Sequence, residues 1–320
     1  MIKLNAFDDV LSSLKVSGMC LLAEDYTPPW AVSIPDGAEL GKALSAPRDT
    51  RLFAFHLVRR GSFELHIDGE PLLVSAGEVV ILTGSQSHIM ANGKAAETID
   101  FFDLINDRPA YLDAESEQEP TSLICGAFLL GNASNNPLIS ALPPVIHADV
   151  SRETGDRTLH LLAQLLISQT ENNRHLESSM SARILEMFCA EAIRLYVKTN
   201  DPAKQGWFRG LNDEKIGAAL NHIHARPEAP WSVASLAREV GMSPSRFAAR
   251  FRQTLETSPM NYVTRWRMNI ASRILIETKH TTSHVAHKVG YESTPAFTRA
   301  FTRHYNAPPA RWRREQRAQA

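Results

Sequence analysis

The chain has 320 residues, a formal net charge of −1, 43% hydrophobic and 22% charged residues, and three cysteines. This length predicts two domains, and the lack of an 18-residue apolar run or an amino-terminal signal pattern disfavours a membrane span and predicts a cytoplasmic protein. Cys20, Cys125 and Cys189 show no CxxC spacing, which argues against a disulfide framework and a zinc finger.

The amino-terminal half predicts a β domain. Short apolar runs separated by turn residues predict strands at 53–58, 62–68, 72–74, 78–82, 98–104 and 123–130. Turns at such close intervals are typical of antiparallel sheets, so we expect a β-barrel or jelly roll over about residues 1–147.

Two helices are predicted next, within about residues 155–198. One apolar stripe at helical spacing runs from Leu159 to Leu166 and a second from Ile184 to Leu195. The two helices either only cover the β domain or also pair two copies of the chain, and we expect a homodimer through them. Residues 199–213 lack periodicity and contain Pro, Gly and Asn, which predicts a linker between domains 1–198 and 214–320.

The second domain is strongly basic. Residues 215–320 hold 17 Lys and Arg against 6 Asp and Glu, whereas residues 1–214 hold 17 against 29. Lys and Arg along a phosphate backbone release counterions and gain affinity, so this imbalance predicts nucleic acid as the partner. A basic surface that only faces solvent is the alternative.

The basic half contains an internal repeat. The two copies match at an offset of 49 up to a turn glycine and of 50 beyond it. The matched pairs include Ala237 with Ala286, Gly241 with Gly290, Ser243 with Ser293, Phe247 with Phe297, and Phe251 with Phe301. Each copy predicts a helix-turn-helix unit, in which glycine ends the first helix and the serine caps the second.

The outward face of each second helix is predicted to contact double-stranded DNA, because its residues are small or basic. In the first unit these residues are Ser243, Ser245, Arg246, Ala249 and Arg250. In the second unit they are Thr294, Ala296, Thr298, Arg299 and Arg303. Arg299 is the best single candidate, since a guanidinium can bind guanine through two hydrogen bonds, although an outward arginine more often meets a phosphate or water.

One continuous helix is predicted between the units, over Met260–Thr278. Its length of about 28 Å is comparable with the roughly 34 Å between successive major grooves on one face of DNA. One chain could therefore occupy two grooves. The basic run Arg311–Arg314 predicts further backbone contacts or a solvated terminal helix.

The stretches WSVASLAREVGMSPSRFAARF, NYVTRWRMNIASRILIET and VAHKVGYESTPAFTRAFTRHYNAPPARWRRE closely resemble the AraC-type DNA-binding domain. The resemblance covers residues 214–314 and implies two recognition helices in adjacent major grooves. This chain departs from the family pattern in two places. Ala249 precedes Arg250 where the first recognition helix often carries an arginine, and Asn306 replaces the usual glycine before Pro308, a turn that Asn should preserve because it tolerates positive φ.

The amino-terminal half resembles, less specifically, the cupin-like sensor domain of some family members. The resemblance rests on FHLVRRGSFELHIDG (55–69), LLVSAGEVVILTGSQSHIM (72–90), ICGAFLLG and LPPVIHAD. The predicted fold class is thus α+β: a cupin-like β-barrel with a helical hairpin, then an all-α domain of two helix-turn-helix units joined by a long helix. Enzymatic cupins use an HxH pair, a carboxylate and a later His; residues 46–55 contain no HxH, so we expect no metal and no catalytic residue.

Five residues of the β domain are candidates for sensing. Trp30, His56 and His88 could line a ligand pocket, although structural histidines and plain core aromatics are commoner. Cys20 and Cys125 could react with oxidants if exposed, although buried, inert cysteine is commoner.

The leading hypothesis is a DNA-binding transcription regulator controlled by a small-molecule or stress signal, with an unidentified effector and RNA polymerase as further partners and no cofactor. The first alternative is a metal-dependent cupin enzyme with secondary DNA binding. The second is a non-specific architectural DNA binder, which fits the charge but not two capped recognition helices.

Overall fold

The computed structural model describes residues 5–318 apart from 48–49, 69, 96, 108, 110–111, 113–118, 132–135, 152–155, 173–178 and 200–205. Within these ranges the chain forms an amino-terminal domain with two sheets and a carboxyl-terminal domain of helices. This confirms the predicted two-domain α+β architecture. None of the described helices is apolar enough along its length to span a membrane.

The amino-terminal domain is built on two five-stranded sheets. The strands are β1 (Lys15–Tyr26), β2 (Trp30–Ile34), β3 (Thr50–Arg60), β4 (Ser62–His66), β5 (Leu72–Ser75), β6 (Glu78–Leu82), β7 (His88–Asn92), β8 (Ile99–Asp100), β9 (Thr121–Gly131) and β10 (Val145–Asp149). The order is β1-β9-β3-β6-β10 in the first sheet and β5-β4-β7-β2-β8 in the second. The sheets pack face to face as a jelly roll and, over the described residues, do not close into one barrel.

The first sheet is buried on both faces. Successive side chains of a strand point to opposite faces, so Phe53 and Phe55 of β3 pack toward helices while Leu52 and Val58 pack toward the second sheet. β9 is buried almost throughout for the same reason. This double burial explains why the sequences of β3 and β9 are continuous apolar runs in which apolar and polar residues do not alternate.

The strand predicted at 98–104 is wrong beyond its first residues. Only Ile99–Asp100 is a strand, and Phe101–Asn106 forms helix α3. The Asp100 side chain accepts a hydrogen bond from the Phe102 N–H and caps this helix, while Phe101 and Leu104, three residues apart, bury one face.

The remaining helices surround the sheets and form the second domain. They are α1 (Asn5–Ser12), α2 (Gly37–Ala43), α4 (Pro137–Ala141), α5 (Arg157–Asn172), α6 (Ser179–Thr199), α7 (Gly206–Asn212), α8 (Glu214–Ala225), α9 (Val233–Glu239), α10 (Pro244–Leu255), α11 (Pro259–Glu277), α12 (Thr282–Lys288), α13 (Thr294–Tyr305) and α14 (Pro309–Ala318).

The two predicted helices of residues 155–198 are α5 and α6, which pack on each other and on the first sheet. β1 approaches α6 closely at Gly18, where the side chain of Leu185 occupies the space that a Cβ would need. Gly18 therefore sets the distance between sheet and helix.

Part of the predicted linker is helical. Residues 200–205 lie outside the described residues, but Gly206–Asn212 forms α7, whose Trp207 and Phe208 are buried against α8 and α10. Two adjacent aromatic residues favour burial, and this outweighs the turn-forming Gly and Asn around them. The boundaries 1–198, 199–213 and 214–320 remain a prediction.

The two domains share a packed seam. α1 and α4 of the first domain contact α8 and α7 of the second, and the Ala6 N–H donates to Asn221 Oδ1 at 3.2 Å. One hydrophobic cluster runs from the helix-covered face of the first sheet into the first helix-turn-helix unit. A cavity of about 380 Å³ also lies at the seam, lined by residues that include Lys15, Arg183 and Arg273.

The helix predicted between the two units is confirmed as α11. Ser258 caps its start by accepting a hydrogen bond from the Asn261 N–H at 3.3 Å. Arg317 of α14 donates to the carbonyl oxygens of Ile276 and Thr278 at its other end. Side chains therefore satisfy one N–H group at the start of the helix and two carbonyl groups near its end.

A buried polar network joins α7, α8 and α11. The Trp207 Nε1–H donates to the Tyr262 hydroxyl at 2.9 Å, and the same hydroxyl lies 2.9 Å from His224 Nε2. Burial lowers the pKa of His224 to about 3, so His224 is neutral and its Nε2 accepts from the hydroxyl. The His224 ring also stacks on Trp266, with ring centroids 4.0 Å apart.

Replacing Tyr262 by Phe should lower the free energy of unfolding by about 1–3 kcal/mol, because it leaves a buried donor and a buried acceptor without their shared partner. Urea unfolding followed by fluorescence measures this. Tyr291→Phe is the matched control, since the Tyr291 hydroxyl makes no hydrogen bond to another described residue. Equal losses in both variants would contradict the assigned network.

Candidate nucleic-acid interface

The turns before both recognition helices have the backbone shape that the repeat predicts. Gly241 has φ +65° and Gly290 has φ +80°, a region that glycine enters without steric cost. Both helices also end on a left-handed residue, Glu256 (φ 57°) and Asn306 (φ 55°). The expected tolerance of Asn306 for positive φ is thus confirmed.

The first recognition helix is α10, and it presents a mostly exposed face. Phe247 and Phe251 are fully buried. Ser245, Arg246 and Ala249 are exposed on the other side. Ser243 occupies the N-cap position of this helix as predicted, but its side chain makes no capping hydrogen bond. Pro244 in the first turn has no backbone N–H, so one fewer donor needs a partner.

Arg250 of the same helix is held by another residue. Its Nε and Nη2 donate to Asp213 Oδ2 at 2.9 and 2.7 Å. Asp213 also caps α8 by accepting from the N–H groups of Lys215 and Ile216. Burial by itself raises the pKa of the Asp213 carboxyl, but the hydrogen bonds from Ile216 and Arg250 outweigh it and the net pKa is lowered. Asp213 thus holds Arg250 on the flank of α10 instead of leaving it free.

The second recognition helix is α13, and its capping prediction is confirmed. Ser293 accepts a hydrogen bond from the Ala296 N–H at 3.4 Å, and Phe297 and Phe301 are fully buried. Across the helix, Arg299 and Arg303 are exposed. Thr294, Ala296 and Thr298 are half-buried between them.

Three of the four arginines predicted to contact DNA are unengaged. Arg246, Arg299 and Arg303 form no hydrogen bond or ion pair with any other described residue, which contrasts with Arg250. An exposed guanidinium keeps its five donors available for phosphate or base edges. Among the predicted contact residues, two free arginines therefore lie on α13 and one on α10, where Arg252 is also exposed but was not predicted to contact DNA.

The basic carboxyl-terminal run is a helix, α14, and part of its charge is used internally. Arg313 donates to the carbonyl oxygen of His280, and Arg317 binds the end of α11. Arg311 pairs with Glu315 at 2.7 Å. Arg314 is exposed. The run therefore stabilises the second unit as well as adding positive charge to it.

The structure brings two of the three predicted ligand residues into contact. His56 of β3 and His88 of β7 meet between the sheets, with their Nε2 atoms 2.8 Å apart. Burial and the neighbouring His88 hold the pKa of His56 well below its usual value, and burial lowers the pKa of His88 to about 4. Both imidazoles are therefore neutral near pH 7.

The hydrogen-bond partners fix the tautomers. His88 Nδ1 lies 3.4 Å from the Gln86 carbonyl oxygen, which only accepts, so Nδ1 carries the proton. His88 Nε2 is then the acceptor and His56 Nε2 the donor. The Nδ1 lone pair of His56 consequently lies buried with no partner among the described residues.

Trp30 lies in the same core between the sheets. Its ring centroid is 5.1 Å from that of Tyr26 and 6.4 Å from that of Phe63, which in turn contacts His56. The Trp30 Nε1–H is also buried and unpartnered within the described part of the chain. One aromatic cluster thus contains a donor, Trp30 Nε1–H, and an acceptor, His56 Nδ1, that have no hydrogen-bond partner among the described residues.

The donor set at this place does not fit a cupin metal centre. Among the described residues no group of three or more His, Cys, Asp or Glu is placed to hold a metal ion. His56 and His88 alone lack the carboxylate and the further histidines that metal-binding cupins use.

The two candidate redox cysteines lie against different cores. Cys20 packs toward the helix-covered face of the first sheet, and Cys125 lies in the core between the sheets. Burial raises the pKa of the Cys20 thiol to about 12 and raises that of Cys125 further above its usual value. Thiols that stay protonated are poor nucleophiles, so burial opposes the predicted redox role.

Two residues that matter at the interface were not identified from the sequence. Asp213, at the end of the predicted linker, holds Arg250, and Arg267 of α11 contacts both helix-turn-helix units. Asp213 directly before a helix is a recognisable N-cap. No local signal marks Arg267, because its partners are about forty residues earlier in the chain.

Comparisons with known proteins match both halves. Residues 5–198 match a family model described as Cupin, and residues 236–315 match one described as Helix-turn-helix domain. A Streptomyces lividans protein described as an AraC-like transcription regulator is 30% identical over 287 residues, which cover 89% of this chain and 93% of that protein. The HTH-type transcriptional regulator AlkR of Acinetobacter baylyi is 26% identical, covering 82% and 91%.

A solved structure of an AraC-type transcriptional regulator from Chromobacterium violaceum is similar to part of this chain. It is 31% identical, with a TM-score of 0.31, and covers 33% of this chain and 93% of that one.

The buried histidines should make stability depend on pH. In the unfolded chain His88 titrates near pH 6.5, whereas in the folded chain its pKa is about 4. The unfolded state therefore binds more protons below pH 6.5, and the free energy of unfolding should fall from there to about pH 4, by up to ~1.4 kcal/mol per pH unit for one histidine.

Urea unfolding at pH 7.5 and pH 5.0 tests this dependence. His88→Gln should reduce the loss of stability between the two values, because glutamine takes up no proton. His287→Gln, a change on the exposed face of α12, should leave the loss as it is in the unmodified protein. The assignment of His88 fails if both variants lose as much stability as the unmodified protein.

Proposed function

The chain belongs to the AraC-like family of DNA-binding transcription regulators, and we propose that a signal sensed by its cupin domain controls how its two recognition helices bind DNA. The chain is a regulator and not an enzyme. The metal-dependent enzyme considered from the sequence receives no support from the donor set around His56 and His88.

The single observation that carries the proposed mode of binding is the pair of exposed faces on α10 and α13, with phenylalanines buried behind them. One rigid helix, α11, joins the two units and spans roughly 28 Å for its 19 residues. Successive major grooves on one face of DNA are about 34 Å apart. We infer that one chain places both helices in adjacent grooves.

The ten predicted contact residues contribute unequally in this proposal. Arg299 and Arg303 supply most of the second helix's hydrogen-bond donors. Arg246 does the same for the first helix with the small residues Ser243, Ser245 and Ala249, whereas Arg250 is committed to Asp213. Sequence reading therefore depends most on α13.

We propose that the cluster of Trp30, His56 and His88 recognises a small-molecule effector. The buried Trp30 Nε1–H would donate to an acceptor of the ligand, and the His56 Nδ1 lone pair would accept from a donor. Unsatisfied buried polar groups cost free energy, which a ligand with matching groups would recover. The signal would then pass to DNA binding through the seam formed by α1, α4, α7 and α8.

Homodimerisation through α5 and α6 is part of the proposal. Leu161, Leu165, Met180 and Met187 lie on this hairpin with 50–63% of their surfaces exposed. They are four of the seven large apolar side chains that the described part of the chain leaves exposed. Such clustering favours a protein partner over plain solvent exposure. RNA polymerase remains a predicted further partner.

Replacing Arg299 by Ala should weaken binding to a selected operator by about 1–3 kcal/mol and relax base preference, with a smaller loss on random-sequence DNA. Arg250→Ala should cost less, because Asp213 already binds this guanidinium. Fluorescence anisotropy titrations at several salt concentrations measure both effects. Arg51→Ala, at an exposed position of β3, controls for the lost charge. An Arg299→Ala protein that binds DNA like this control would refute the assigned recognition face.

Replacing both Leu165 and Met187 by Glu should weaken self-association roughly tenfold or more, because four carboxylates would meet in the dimer interface. Sedimentation equilibrium gives the dimer Kd. Leu73→Glu, which alters an equally exposed apolar residue of β5, is the control. A monomeric unmodified protein, or an unchanged Kd in the double variant, would overturn the proposed dimer face.

A further inference from the structure

Arg267 connects the two helix-turn-helix units through space. It lies on α11, and its Nε and Nη2 donate to the carbonyl oxygens of Pro227 and Ala229 at 2.7 Å each. Both carbonyls belong to the loop between α8 and α9, which is part of the first unit. On its other side, the guanidinium carbon lies 5.8 Å from the centre of the Tyr291 ring in the second unit.

The same loop touches the turn of the second unit directly. Gly290, which precedes Tyr291, has φ +80°, and a Cβ added there would lie 2.8 Å from the Cα of Glu228. Only glycine fits so close to another backbone. The loop around Glu228 and the turn at Gly290 are therefore packed against each other, with Arg267 beside them.

The Arg267 side chain is half-buried at this junction. Burial lowers its pKa, while Tyr291 and Glu228 oppose that change. A guanidinium with two charge-assisted hydrogen bonds in a fixed fork has little freedom to reorient. It holds the loop of the first unit at one distance and one angle from the turn of the second.

α11 alone leaves the angle between the two units less constrained. A helix fixes the distance between its ends, but each unit packs on only one half of α11, so this packing alone leaves small rotations of one unit relative to the other unopposed. The contact at Arg267 closes a second connection between the units. Together the two connections determine where α10 and α13 lie relative to each other.

We infer that Arg267 is a positioning residue that sets the spacing and helical phase of the two half-sites that one chain reads. This inference rests on the proposed function, because it requires both recognition helices to contact DNA. Arg267 itself touches no base in it. Its effect is on which arrangement of half-sites the protein accepts.

The test is in vitro selection of binding sites by the full-length protein from a library of random DNA duplexes, followed by sequencing. The unmodified protein should enrich two half-sites at one spacing. Arg267→Ala should enrich the same two half-sites over several spacings and should bind the original spacing roughly 2- to 100-fold more weakly, the range expected for coupling between contacting groups.

Three further variants separate the explanations. Arg299→Ala should lose the base preference of one half-site and keep the spacing of what remains. Arg273→Ala removes the same charge from the same helix away from the junction and should keep both half-sites and their spacing. Arg267→Lys keeps the charge but cannot bind both carbonyls in the same fork, so the half-site spacing that this variant selects should broaden as well. If thermal melting shows that Arg267→Ala is unfolded, Arg267→Lys replaces it in the test.

The possible results are distinct. If a folded Arg267 variant selects the same half-sites at the same single spacing as the unmodified protein, the inference is overturned while the proposed function stands. If the unmodified protein selects no two-part site, the proposed mode of binding fails and the inference fails with it. A broadened spacing in the Arg267 variants, with a single spacing in Arg273→Ala, supports the positioning role.

Discussion

α11 is a single helix that is packed into two separate hydrophobic cores. Its first half contributes Tyr262, Val263 and Trp266 to the large core that continues into the cupin domain, and its second half contributes Met268 and Leu275 to the core of the second unit. Because no Gly or Pro interrupts the helix after its first residue, the two cores are joined by one stiff element. The positions of both recognition faces depend on this arrangement.

The two units differ in how they are connected to the cupin domain. The first unit shares its core with the cupin domain, and Arg250 ties its recognition helix to Asp213, directly after α7. The second unit has a core of its own. A structural change at the seam would therefore reach the first unit through direct contacts and the second through α11. Such a change would alter the relative position of the two recognition helices without unfolding either unit.

The interior of the cupin domain combines tight packing with unsatisfied polar groups. Trp30 and His56 are almost completely buried, yet one nitrogen of each lacks a partner within the described residues. In a core with few other polar atoms, such groups cost stability unless a ligand or water satisfies them. Because both imidazoles are neutral near pH 7, this place offers hydrogen-bonding groups and no positive charge. Cys20 and Cys125 are protonated by burial and offer no comparable reactivity.

Elements whose signals are local could be predicted from residue patterns. The helix-turn-helix repeat, its turn glycines, the continuous α11 and the opposite charges of the two halves all follow from residue spacing and composition, because helix periodicity and turn chemistry act over a few residues. Features that depend on contacts between distant residues emerge only in the folded chain. Asp213 engages Arg250, Arg267 meets Pro227 and Tyr291, His56 meets His88, and residues 206–212 fold into a helix because partners from elsewhere in the chain bury Trp207 and Phe208.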